Sequence, residues 1–199
     1  MDKIVRFVLE GSPCSGKSET LRYLQTCKSE IPVVFVEEAA TEILREDPDF
    51  VKRDPSAFQA EVLRRQYLHE EEALSTLQKA DGMLGVIILD RGAADTFVYL
   101  NEERAQSITG VSVETLVLRY DAVLHFDPYI ETHSLKSGND LRAETDTDEL
   151  LALHEKSLRV WRLHPRFENV PVFQTKAEKG RYVAERINAQ LKTTVFSRK

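Results

Sequence analysis

From Gly11 to Ser18 the chain reads GSPCSGKS, which meets the pattern GxxxxGK[ST] at every fixed position and follows an apolar run that begins at Ile4. Each fixed residue has a chemical reason to be there. A loop that leaves a strand and opens a helix turns successive backbone N–H groups toward one point. The helix N-terminus adds its dipole, so the oxygens of a polyphosphate can be held there. Gly11 and Gly16 permit the turns and the close approach of phosphate, Lys17 would neutralise the β and γ oxygens, and the Ser18 hydroxyl would ligate Mg²⁺. Gly11, Ser12, Pro13, Cys14, Ser15, Gly16, Lys17, Ser18 and Glu19 together are the expected binding segment for ATP or GTP with Mg²⁺. The flanking strand and helix argue against a glycine-rich turn that merely caps a helix.

A second acid stands at the end of another apolar run, GVIILDRG, which delivers Asp90 to the carboxyl end of its strand. Ligands sit on that side of open α/β sheets. Asp90 is expected to hold the magnesium opposite Ser18, to cap the helix expected from about Ala93, or to do both. Glu37 and Glu38 follow IPVVFV at a helix start, where carboxylates often serve only the helix dipole. Their functional reading, which favours Glu38, is to orient or deprotonate an attacking hydroxyl or water. Positive charge should converge on the same phosphate: Arg91 follows Asp90, and Arg142 lies in a long polar stretch. Lys156, Arg159, Arg162 and Arg166 recur further on, as they would on a solvated helix face. Gln59 and Gln66 share a helix face and could hydrogen-bond an acceptor, although surface glutamines are common. TKAE, Thr175 to Glu178, is similar to the TKxD guanine signature but has Glu for Asp, and it reads better as a polar helix start. The histidines and cysteines show no zinc spacing, and there is no G-x-S-x-G elbow.

These residues need a scaffold. Apolar β-rich runs recur at Ile4–Leu9, Ile31–Val36, Gly85–Leu89, Ala122–Phe126 and Val170–Phe173, and most do not alternate cleanly, as expected of parallel strands covered on both faces. Helical spacing lies between them. One helix starts at a cap, Asp54, followed by Pro55, carries Leu63, Tyr67, Leu74 and Leu77 on one face, and is expected to end at Gly82. A second begins with a capping box from Asp146 to Glu149, presents Leu150, Leu153, Leu158 and Trp161, and stops near Pro165; a last one runs from about Ala177 to Leu191. Alternation of strand and helix predicts a three-layer α/β fold with right-handed crossovers. The 199 residues suit one domain, with the polar stretch around 128–148 as a flap.

Composition narrows the classes further. With 42% hydrophobic and 30% charged residues the chain has globular composition, and no apolar run is long enough for a membrane helix. A formal net charge of −6 argues against broad nucleic-acid binding. Two cysteines and an amino-terminal MDKIVRFVLEG unlike a signal peptide favour a reducing, cytoplasmic location.

The strings EGSPCSGKSETLRYL, VVFVEEAATEIL, FQAEVLRRQ, ILDRGAADTFVYL, YDAVLHFDP and LRAETDTDELLALHEKSLRVWRLH together resemble a family of small P-loop NTPase domains. That family, of AAA-domain type, groups the kinase domain of NadR with the GTP-binding domain of a photoreceptor trafficking protein. The resemblance implies a five-stranded parallel sheet of kinase type, order 2-3-1-4-5. Its layout is similar to that of deoxynucleoside and thymidylate kinases, in which Glu38 looks like the base and Asp90 with Arg91 like the metal and phosphate pair. Glu37 stands where relatives often have proline, so the choice between Glu37 and Glu38 stays open at this level. Two functions follow as expectations. One is a Mg²⁺-dependent phosphotransferase using ATP or GTP on a small, nucleoside-like acceptor. The other is a nucleotide-hydrolysing switch or adaptor for a protein or lipid partner. A motor ATPase of the AAA class would need a helical lid domain and an arginine-finger region that have no counterpart in this sequence.

Overall fold

The apolar runs form strands β1 (Ile4–Glu10), β2 (Val33–Val36), β3 (Gly85–Asp90), β4 (Ala122–Phe126) and β5 (Phe167–Val170) in a computed structural model that describes residues 4–79, 84–129 and 147–196. They pair in the order β2-β3-β1-β4-β5, every pair parallel, as the sequence led us to expect. Parallel neighbours cannot be joined by tight hairpins, so helices carry the crossovers. These are α1 (Lys17–Thr26), α2 (Ala39–Glu46), α3 (Phe50–Arg53), α4 (Pro55–Gln78), α5 (Thr96–Tyr99), α6 (Glu102–Thr109), α7 (Val113–Val117), α8 (Thr147–Trp161) and α9 (Lys176–Phe196), with a 3₁₀ turn at Ala93–Asp95.

The two faces of the sheet are both buried, and the pleat divides the work between them. Val5, Phe7 and Leu9 of β1, with Val86 and Ile88 of β3, point toward Leu21 and Leu24 of α1 and Val183, Ile187 and Leu191 of α9. Their neighbours Val8, Ile87, Leu89 and Val123 point the other way, toward Leu63, Ala73 and Leu77 of α4 and Trp161 of α8. Each fully buried aliphatic side chain contributes about 1.5–3 kcal/mol relative to exposure, so covering both faces is what stabilises short strands of this kind. α4 starts as its sequence requires: the Asp54 carboxylate accepts from the Ser56 and Ala57 N–H groups at 3.1 and 2.9 Å, and Pro55 occupies the first turn.

Two expectations about elements change. The fifth strand was expected over Val170–Phe173, but pairing covers Phe167–Val170. Pro171 has no N–H to donate to the ladder, so the apolar residues after it leave the sheet, and Val172 is exposed. α4 is described to Gln78, and the expected end at Gly82 falls among residues outside the description. The same holds for Asp146 of the expected capping box and for Arg142 with most of the polar stretch around 128–148. Among the described residues no helix is long and apolar enough to cross a membrane.

Candidate functional site

β1 is the central strand, and the phosphate loop leaves its carboxyl end straight into α1. The turn demands its glycines. Gly11 has φ 132°, and a Cβ there would lie 2.5 Å from the Phe126 carbonyl oxygen; Gly16 has φ 89°. Cys14 also takes a positive φ, 60°, with its side chain facing solvent. No side chain caps α1, which leaves its first N–H groups to the loop's own concavity. The Lys17 ammonium lies folded over that concavity, donating to the carbonyls of Gly11 and Ser12 at 2.8 Å each and to Ser15 Oγ at 3.2 Å. From behind, Lys179 of α9 donates to the Ser15 carbonyl at 2.8 Å. Glu19 pairs with Lys176 at the outer side of the loop.

Asp90 ends β3 beside this loop, and Ser18 Oγ donates to its Oδ2 at 2.5 Å. Its Oδ1 is buried with no hydrogen-bond partner among the described residues. Burial, followed by the negative charge of Glu38, pushes the Asp90 carboxyl above the usual range, against the pull of Lys17 and the Ser18 hydrogen bond. A hydroxyl and an orphaned carboxylate oxygen side by side are the hard oxygen donors that suit Mg²⁺.

The two adjacent glutamates separate cleanly. Glu37 is exposed, whereas Glu38 turns inward and accepts from Arg91 Nε at 2.5 Å and from Thr41 Oγ1 at 2.6 Å. Glu38 occupies the N-cap position of α2 without making a side-chain cap, so serving the helix end does not explain its direction. Arg91 takes φ 75°, a left-handed conformation. Its Nη1 donates to Asp95 Oδ2 at 2.7 Å, and its Nη2 is buried without a partner among the described residues. Asp95 is fixed in turn by Trp161 Nε1 at 2.8 Å. Burial opposes the charge on Arg91, but Tyr99, Glu38, Asp95 and Glu10 outweigh it and hold the guanidinium firmly protonated.

A cavity opens in front of Arg91, between α2 and α4. Pro13 of the phosphate loop, Glu38, Phe58, Gln59, Arg91 and Tyr99 are among its walls. Gln59 and Gln66 both line it and both are buried, so neither is a surface glutamine. The Gln66 amide is engaged by Glu70 Oε1 and the Arg91 carbonyl, each at 3.2 Å.

The structure thus brings together Lys17, Ser18, Glu38, Asp90 and Arg91, while Arg142 lies outside the described residues. Of the later basic residues, Lys156 and Arg159 are exposed, and Arg162 lies over the Phe167 ring. TKAE closes a reciprocal cap, with Thr175 N–H donating to Glu178 Oε2 at 3.1 Å and Glu178 N–H to Thr175 Oγ1 at 3.2 Å, a polar helix start. Sequence reasoning passed over Asp95, Glu10, Glu70, Tyr120 and Lys179. Asp95 lies inside the string ILDRGAADTFVYL, and an acid that ends an apolar strand, as Glu10 does, was a signal available in the sequence.

A parallel sheet in this order, with a phosphate loop after its central strand, defines the P-loop NTPase fold. A family model described as an AAA domain matches residues 6–179, and the chain belongs to that family of nucleotide-binding P-loop proteins. A search of curated proteins finds no match to it.

Proposed function

We propose that the protein is a Mg²⁺-dependent phosphotransferase that moves the γ-phosphoryl group of ATP or GTP to a hydroxyl of a small, nucleoside-like acceptor, in the manner of the NadR-type kinases it resembles. The observation that carries this reading is the cavity that shares Pro13 with the phosphate loop and holds a Glu38–Arg91 pair whose guanidinium keeps its buried Nη2 to spare. A hydrolysing switch needs no such second chamber.

In this reading the backbone N–H groups from Gly11 to Ser18 cradle the triphosphate, and Lys17 exchanges its carbonyl partners for phosphate oxygens. Ser18 and Asp90 are the residues that would hold Mg²⁺, which when bound neutralises charge on the β and γ oxygens. The acceptor enters between Phe58, Gln59 and Tyr99, and Gln59 offers its amide to a polar edge. Glu38 takes the proton from the attacking hydroxyl, while Arg91 Nη2 bonds the oxygens of the group in transit. Arg142, from the polar flap, would add a second cation over the phosphates.

The test is product formation. With MgATP or MgGTP and a panel of nucleosides and other small hydroxyl compounds, mass spectrometry should find a phosphorylated acceptor, and Glu38→Gln should lower its rate by about 10²-fold or more. Slow release of inorganic phosphate and nothing else, across the whole panel, would discard the kinase in favour of the switch.

A further inference from the structure

The turn that carries Arg91 is fastened at four backbone groups within three residues. Arg91 N–H donates to the Leu9 carbonyl at 3.0 Å, and the Arg91 carbonyl accepts from Gln66 Nε2 at 3.2 Å. Gly92 N–H donates to Glu10 Oε1 at 2.7 Å. Ala93 N–H donates to the Tyr120 hydroxyl at 2.7 Å, and that hydroxyl donates to Glu70 Oε1 at 2.9 Å. Glu10, Gln66, Glu70 and Tyr120 are all buried. A non-glycine residue at φ 75° persists only where its surroundings over-determine it, and here they do.

Glu10 is the least expected of these partners. It ends the central strand, is fully buried, and its Oε2 has no hydrogen-bond partner among the described residues. An apolar residue would serve the core at lower cost in desolvation. Burial first, then the charge of Asp95, raises its pKa well above the ordinary carboxylate value, against the pull of Arg91 and Lys17.

We propose that Glu10 is a positioning residue for phosphoryl transfer: by anchoring Gly92 N–H, alongside Tyr120 on Ala93 N–H, it sets the direction in which Arg91 enters the acceptor cavity. This rests on the role given to Arg91 above. Glu10→Leu deletes the acceptor, and Glu10→Gln keeps an acceptor oxygen on an uncharged side chain. The Arg91 Nε–H signal in ¹H–¹⁵N spectra, identified by its loss in Arg91→Lys, reports the guanidinium directly. In Glu10→Leu that signal should move into the region of exposed arginines, and kcat for product should drop about 10²-fold with the KM for MgATP or MgGTP unchanged. Glu10→Gln should restore both. A folded Glu10→Leu with the wild-type Arg91 signal, or a Glu10→Gln that behaves like it, overturns the proposal. Should Glu10→Leu fail to fold, Tyr120→Phe removes the neighbouring anchor without opening a large cavity, and an unmoved Arg91 signal there is equally fatal. A shifted signal together with normal transfer by Arg91→Lys would refute the role of Arg91 while leaving the hold of Glu10 on it intact.

Discussion

Replacing Arg91 by lysine separates geometry from charge. The guanidinium makes two charge-assisted hydrogen bonds, to Glu38 at 2.5 Å and to Asp95 at 2.7 Å, and the side chains involved are no more than 9% exposed. Solvent screening is therefore weak, and each bond is in the range of about 1.5–3 kcal/mol. An ammonium on a flexible stem keeps the charge but cannot reproduce two donors fixed in one plane, so one bond is lost. The backbone strain cancels from the comparison, because lysine and arginine meet the same cost at φ 75°. Stability should fall by about 2 kcal/mol, and for a chain of this size that lowers Tm by about 4–8 °C. Urea denaturation followed by circular dichroism should show a lower midpoint at constant m. Transfer to the acceptor should slow by about 10²-fold, since the spare Nη2 goes with the fork, while nucleotide affinity stays the same. Arg91→Met, which leaves two buried carboxylates without a cation, should cost more, about 3–5 kcal/mol. A lysine variant as stable and as fast as the parent would mean that the bridge between Glu38 and Asp95 holds neither the fold nor the chemistry. Lost stability with an undiminished rate would reduce Arg91 to a structural part.

Two further outcomes follow from the same geometry. Lys17→Met should abolish the stabilisation by MgATP or MgGTP, which at a hundredfold excess over Kd amounts to about 2.7 kcal/mol in the parent, so a parent-like thermal shift in the variant would contradict the phosphate-loop assignment. His125, buried on β4 with its Nε2 2.9 Å from Ser157 Oγ, has its pKa pulled down to about 3 by burial and then by its neighbour His154. The unfolded chain binds this proton below its ordinary pKa of about 6.5 and the folded one does not, so stability is full above that pH and declines by up to about 1.4 kcal/mol per unit toward pH 3. His125→Gln, compared with the parent in urea titrations at several pH values, should lose that part of the acid slope.

Much of this architecture could be read from the chain because its causes are local. Gly11 and Gly16 answer a requirement for positive φ, and the branched runs answer burial on both faces of a sheet. Asp54 and Pro55 announce the start of α4 in the same way. The fifth strand ends before its apolar run does because Pro171 brings no donor to the ladder, a local cause that apolar character alone conceals. The site is different. Glu37 and Glu38 have the same charge at the same helix entrance, and only the last residues of β2 and the first turn of α2 decide that Glu38 faces Arg91. The buried acid behind Arg91 depends on a contact between residues 82 apart, Glu10 and Gly92, which no periodicity encodes. Topology supplies it. Once β1 lies beside β3 with Leu9 opposite Asp90, the next residue of each strand must meet across the carboxyl ends. The acid that closes β1 then arrives under the turn that opens after β3. The sheet order, more than any motif, therefore brings the support of Arg91 and the phosphate loop together at the carboxyl ends of two adjacent interior strands.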